Sequence, residues 1–232
     1  MPETDVFSVQ HSINNGIERV TYTPKHRRFE TPILMQHGMW HGAWCWQQSC
    51  NLTEIRHEMS FLVLSYPGVS PDDDAWIQNL RARHDQLQYD IVGPHFTFVF
   101  PVSGLDQNTF VTHVKNQAQG LAQFTFALRC AVVVKDALNA YTHVCLTPDE
   151  GYSAMVKLHD RLYTGPLAAE LRLDIPFIPH LTVGYDADAH ACKRLADDLN
   201  AQGVSIPGAI TALDVVRYEG RQVESIERIA LI

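Results

Sequence analysis

Pro94-His95-Phe96-Thr97-Phe98-Val99-Phe100 returns 85 positions later as Pro179-His180-Leu181-Thr182-Val183-Gly184-Tyr185. Each copy runs proline, histidine, an apolar residue, threonine, then apolar residues. Such aromatic and β-branched runs predict strands, over His95–Phe100 and over Phe177–Tyr185. Alternate side chains of a strand share a face. His95, Thr97 and Val99 therefore point one way, and Phe96, Phe98 and Phe100 the other. In the second copy His180, Thr182 and Gly184 oppose Leu181, Val183 and Tyr185. A proline at the first strand position costs no ladder donor. Each copy thus sets an imidazole and a hydroxyl side by side, about 6–7 Å apart along the strand. With 12 histidines and 14 threonines in 232 residues, chance supplies about 0.7 His-x-Thr tripeptides, so one alone says little. Two, each behind a proline and inside apolar strand sequence, say much more. The plain alternative is a pair of edge strands with ordinary buried histidines.

The elements around these strands mix. Phe61–Tyr66 reads as a buried strand closed by Pro67-Gly68. Asp72 to Asp74 can cap a helix on whose face Trp76, Leu80 and Leu87 fall. Phe110, Val114 and Ala118 mark a short amphipathic helix. Phe124–Val134 reads as one or two strands, and Thr142–Leu146 as another. Tyr152, Met155, Val156, His159 and Leu162 follow helical spacing, with Asp149-Glu150 ahead of them to suit the dipole. Cys192, Leu195, Ala196 and Leu199 mark a helix that ends near Gly203. Thr211–Tyr218 and Val223–Leu231 form a hairpin about Glu219-Gly220. Hairpins among helices, with no Gly-rich nucleotide loop, favour an α+β architecture over a doubly wound sheet.

Two imidazoles facing one cleft can act as general base and general acid near neutral pH. Threonine hydroxyls can donate hydrogen bonds to phosphoryl oxygens. That chemistry needs no metal or cofactor, and it fits hydrolysis of a 2′,3′-cyclic phosphate. On these motifs, from Met59 to Ile232, the chain resembles the two-histidine phosphoesterase superfamily, in its branch of 2′-5′ RNA ligase-like proteins and cyclic phosphodiesterases. The resemblance implies a bilobal fold, with an antiparallel sheet in each lobe and pseudo-two-fold symmetry about a central cleft. It also implies that His95, Thr97, His180 and Thr182 are the catalytic residues. Phe98 and Val183 fill the fourth motif positions, where the family tolerates apolar residues. The resemblance does not say which histidine is acid and which base. A module that binds nucleotides or RNA ends without turnover would keep the same four residues.

Charge narrows the partner. The chain carries 18 basic and 26 acidic residues, net −8. A protein that grips duplex nucleic acid through its phosphates should be basic or carry a basic stripe. The expected ligand is a cyclic nucleotide, or an RNA terminus with a 2′,3′-cyclic phosphate. Long duplex nucleic acid and membranes are not expected partners: no apolar run approaches the ~20 residues of a span. The first residues lack the pattern of a secretory signal. Five cysteines, with no C-x-x-C pair, suggest a reduced, cytoplasmic setting. Cys130 and Cys145 could face each other on adjacent strands. Arg81, Arg83, Arg172 and Arg217 could each contact phosphate. His84, His113, His159 and His190 fall in helices and His143 in a strand, where lone histidines usually serve packing or surface.

Residues 1–58 differ in texture, with three of the four tryptophans. Pro32-Ile33-Leu34-Met35-Gln36-His37-Gly38, continuing to His41-Gly42-Ala43-Trp44-Cys45-Trp46, resembles the third strand and oxyanion loop of an α/β-hydrolase. That fold needs a G-x-S-x-G elbow, and Gly151-Tyr152-Ser153-Ala154-Met155 lacks the last glycine. An esterase is therefore the weaker reading. His37, His41 and Cys45 at i, i+4, i+8 could ligate a metal, but Gly38 and Gly42 weaken a helix there. The expected organisation is an appended hydrolase-like fragment over 1–58 and a phosphoesterase domain over 59–232.

Overall fold

The computed structural model describes residues 7–14, 17–24, 59–136 and 140–232. The chain divides into two compact units, Met1–Arg56 and His57–Ile232. In the first, strands β1 (Phe7–Asn14) and β2 (Ile17–Pro24) form an antiparallel hairpin, with Phe7 opposite Pro24 and Asn14 opposite Ile17. The sequence reading places no strand pair here. The hydrolase-like stretch Pro32–Trp46 and the triad His37, His41 and Cys45 lie outside the described residues.

The second unit is α+β and built twice over. Its first half runs β3 (Ser60–Ser65), a two-residue β4 (Gly68–Val69), α1 (Pro71–His84), β5 (Phe96–Val102), α2 (Gln107–Ala118) and β6 (Phe124–Lys135). Its second runs β7 (Thr142–Glu150), α3 (Tyr152–Leu162), a 3-10 turn over Gly165–Glu170, β8 (Leu181–Asp186), α4 (Ala189–Ala201), β9 (Ile206–Ile210), β10 (Ala212–Glu219) and β11 (Gln222–Ala230). One sheet has the order β11-β10-β3-β5, the other β4-β9-β6-β7-β8. Every pairing among the described residues is antiparallel. The halves exchange strands. β6, from the first half, pairs with β7 of the second, and β10, from the second, pairs with β3 of the first. Each motif strand, β5 or β8, is thereby left at the edge of its own sheet.

Local chemistry explains the element ends. Ser70, not the aspartates, caps α1: its hydroxyl accepts from the Asp73 N–H at 3.1 Å, and Pro71 begins the helix. Asp72, Asp73 and Asp74 fill the first turn, where the dipole favours them. The helix stops at His84, so Leu87 is exposed beyond it, and the buried stripe is Ile77, Leu80 and Arg81. Phe110, Val114 and Ala118 are buried on α2, and Cys192, Ala196 and Leu199 on α4, as their spacing predicts. Gly220 and Arg221, both at positive φ, close the β10–β11 hairpin. A core holding Phe61, Phe96, Phe98, Phe110 and Phe126 runs continuously through both halves.

Candidate active site

His95 and His180 do not lie within their strands. β5 begins at Phe96 and β8 at Leu181, so each imidazole stands at the entrance of an edge strand, directly after its proline. There both rings make the same local bond. The Nδ1 of His95 lies 2.8 Å from the Gly93 carbonyl, and that of His180 2.6 Å from the Ile178 carbonyl. A carbonyl can only accept, so Nδ1 carries the proton and donates it. In a neutral ring, Nε2 is then the nitrogen with the lone pair. The spacing Gly-Pro-His or Ile-Pro-His fixes this tautomer twice, from carbonyls two residues upstream.

Both motif strands also carry a bulge at the same place. On β5, Val99 opposes Val63 and Thr97 opposes Leu64, which leaves Phe98 unmatched. On β8, Gly184 opposes Val144 and Thr182 opposes Cys145, which leaves Val183 unmatched. Phe98 and Val183 are the residues directly after the two threonines. A bulge re-aims the side chains beyond it, and strict alternation fails here. Phe98 and Val99 are both buried in the core. Tyr185 stacks on His143, with ring centroids 5.7 Å apart, and His143 shares a β7 face with Cys145, which touches Thr182. Tyr185 therefore lies on the face of Thr182, not opposite it as alternation predicts. His159 braces the β5 bulge: its Nδ1 lies 2.9 Å from the Phe98 carbonyl, and its ring stacks on Phe177 at 3.7 Å.

The two imidazoles are near enough for the charge of His180 to act on His95. Burial pulls the His95 pKa down to about 4, with the Arg81 guanidinium and His180 adding to the effect and the Gly93 carbonyl opposing it. Burial also lowers His180, helped by the nearby His143 and opposed by its own carbonyl partner. Both rings are thus biased toward the neutral form. The Thr182 hydroxyl makes a long contact, 3.8 Å, with the Cys145 sulfur. Burial pushes that thiol up to about 12, so it stays protonated and is no nucleophile.

Most of the other candidates have partners of their own, and of them His143 and Arg81 lie near the two imidazoles. His113 is tied to the Leu162 carbonyl at 2.9 Å, and His143 pairs with Asp136 at 2.8 Å. Arg172 and Arg217 are engaged by Asp174 and Glu224, and Arg83 bonds the Asn79 carbonyl. Arg81 is fully buried beside His95, a position that no hydrophobic spacing signals. Cys130 and Cys145 do not face each other: their strand partners are Thr147 and Val132, and both are free thiols. Among the described residues no group of three or more His, Cys, Asp or Glu could hold a metal ion, and no helix is long and apolar enough to cross a membrane.

Comparison with known proteins bears on this geometry. The family model of the 2′-5′ RNA ligase superfamily matches residues 69–222. Among solved structures, E. coli LigT complexed with 3′-AMP is similar at 18% identity and a TM-score of 0.51, covering 75% of this chain and 98% of LigT. LigT complexed with NADP+ gives 19% identity, a TM-score of 0.50 and the same coverage. Kluyveromyces marxianus Usb1 gives 10% identity and a TM-score of 0.46, covering 77% of this chain and 100% of Usb1. No curated protein matches the chain significantly.

Proposed function

The chain belongs to the 2′-5′ RNA ligase superfamily, and on that footing we propose that it hydrolyses 2′,3′-cyclic phosphates of a nucleotide or RNA end, with His95 and His180 as its proton-transfer pair. The observation that carries the reading is the duplicated His-x-Thr strand. Two edge strands bring two imidazoles within electrostatic reach, each with Nδ1 already engaged and Nε2 left for a ligand.

In the proposed reaction a water oxygen bonds to phosphorus and one ribose oxygen leaves it. The Nε2 of His95 takes the proton of the attacking water. The protonated Nε2 of His180 gives its proton to the departing ribose oxygen. The products are a ribose hydroxyl and a phosphate monoester, and exchange with solvent resets both rings. His95 is assigned the base because burial and the Arg81 cation disfavour its imidazolium. A bound phosphodiester anion favours the imidazolium form of His180, the state a general acid needs. Thr97 and Thr182 supply hydroxyl donors to the non-bridging oxygens, whose charge grows in the transition state. Run backwards, the same transfers join a cyclic-phosphate end to a 5′-hydroxyl. LigT, whose fold this chain shares, has been solved with 3′-AMP and with NADP+; a nucleotide-class ligand is accordingly the first to test.

The test is turnover of a 2′,3′-cyclic nucleotide with EDTA present. His95→Ala and His180→Ala should each lower kcat by roughly 10²–10⁴. Unchanged rates in both variants would remove the assignment.

A further inference from the structure

We infer that Arg81, held by Asp85, is a positioning residue for His95, fixing through the Val92–Gly93 main chain which ring nitrogen carries the proton; the inference rests on the acid–base reading above. Arg81 lies on the buried face of α1 and is only 1% exposed. Its Nε donates to Asp85 Oδ2 at 2.9 Å and its Nη2 to the Val92 carbonyl at 2.8 Å. Its Nη1 reaches the Gln78 side-chain oxygen at 3.5 Å. The Tyr89 ring centroid is 5.9 Å from Cζ. The segment from Asp85 to His95 leaves the end of α1 and arrives at β5. One guanidinium therefore ties the start of this segment to its end.

The next carbonyl along, that of Gly93, is the one that accepts the His95 Nδ1–H at 2.8 Å. Glycine does little to restrict its own φ and ψ. A Cβ on Gly93 would meet nothing closer than the Tyr66 ring, at 3.7 Å. Arg81 supplies the constraint that Gly93 lacks, by holding the preceding peptide plane. The second copy shows the contrast. There the accepting carbonyl belongs to Ile178; a proline follows it as one follows Gly93, but its β-branched side chain adds a restriction that the glycine lacks. It needs no outside clamp.

The burial of a full charge also speaks for a specific role. A guanidinium taken out of water must recover its hydration from fixed partners, and an apolar pair of similar volume is often no less stable. A lysine could not reproduce the fork, because its ammonium offers one donor centre where two directions are required. The charged and titratable groups that act on His95 are Arg81 from α1 and His180 from the start of β8, and the Tyr66 ring after β3 packs edge-on at 6.4 Å.

Removing Arg81 alone would strand a buried carboxylate, because Asp85 Oδ1 is already buried without a hydrogen-bond partner. The test therefore uses the double variant Arg81→Met/Asp85→Leu, with Arg81→Lys as a second route and wild type as the reference. Imidazole ¹⁵N NMR of wild type should show His95 as the Nδ1-protonated tautomer. In the folded double variant this signal should give way to a mixture of tautomers. The acid limb of the pH–rate profile should move to higher pH, and kcat should fall about 10- to 100-fold with KM within about threefold. Arg81→Lys should lose kcat in the same direction. A merely structural role would lower the melting temperature and leave tautomer and pH profile alone. An Nε2-protonated His95 in wild type overturns the inference. So does a folded double variant, or a folded Arg81→Lys, that keeps the wild-type tautomer and kcat. If wild type turns over no cyclic phosphate, the acid–base reading falls while the tautomer signal still decides the role of Arg81.

Discussion

Replacing Gly184 by alanine tests whether the two halves of the fold meet where the site requires it. Gly184 sits just past the β8 bulge, in ordinary backbone conformation, so left-handed strain is not the issue. Space is. An added Cβ would stand 2.8 Å from the His84 Cβ, 3.2 Å from the His84 carbonyl oxygen and 3.3 Å from Leu195 Cδ2. Carbon atoms prefer about 3.5–4.0 Å. Leu195 can turn aside, but the His84 Cβ and carbonyl move only with the backbone of α1. Either α1 or β8 must therefore yield by most of an ångström. Overpacking of this kind costs about 1–3 kcal/mol. At roughly 2–4 °C per kcal/mol for a unit of this size, the melting temperature should fall by about 2–12 °C. His84 immediately precedes Asp85 and lies three residues after Arg81. A displacement there carries the guanidinium clamp with it, and kcat should drop on the order of 10- to 100-fold. Scanning calorimetry and single-substrate kinetics read the two effects. Gly203→Ala is the control: its φ is +69° and nothing lies within 4 Å, so it should cost about 1 kcal/mol of strain and leave kcat alone. A wild-type melting temperature in Gly184→Ala would refute the close approach. A lowered melting temperature with intact kcat would refute the link from helix end to site.

The pH dependence of kcat/KM should be bell-shaped with its maximum below pH 6.5. Activity falls as pH drops through the His95 value of about 4, where the base is protonated, and falls again as pH rises through the lowered His180 pKa, where the acid loses its proton; a maximum at pH 8 would contradict the assignment of roles. Asn200→Ala should cost about 2–4 kcal/mol in urea unfolding while leaving the kcat of the folded protein unchanged. The Asn200 side chain accepts from the Ala131 N–H at 2.7 Å and donates to its carbonyl at 2.9 Å, on a part of β6 beyond the Phe124–Leu128 stretch that β9 covers.

The duplicated motif, the α+β mixture and the buried faces of α2 and α4 were legible because each rests on a short-range period, whereas the antiparallel sheets were expected only from the family resemblance. His-x-Thr behind a proline reads the same wherever it occurs, and Phe110, Val114 and Ala118 bury one face whatever they face. What periodicity could not show was anything set by a partner strand or helix. Phe98 and Val183 fall out of register because β3 and β7 offer one residue fewer than β5 and β8 require, a count that no single strand contains. Tyr185 consequently turned up on the face of Thr182. Arg81 stood among four exposed-looking arginines, and only the fold shows it sealed beneath the Asp85–His95 segment. The exchange of β6 and β10 between halves was likewise invisible, since each strand's own pattern suits either sheet.

Duplication of a motif need not mean duplication of a role. The two copies share the proline, the imidazole, the threonine and the bulge, and both rings donate Nδ1–H to the carbonyl two residues back. They differ in what stands behind that carbonyl. At His180 the carbonyl belongs to the β-branched Ile178, and the outside charge acting on the ring is another histidine, His143. At His95 the carbonyl belongs to a glycine, and a buried guanidinium does the holding. That guanidinium also acts on the ring as a positive charge, which raises the cost of protonating it. Holding the ring and keeping it neutral are thus two consequences of one side chain. A symmetric pair of imidazoles would have no reason to divide the work of base and acid. The break in symmetry at Arg81 supplies one, and under the roles proposed above it favours the first copy as the base.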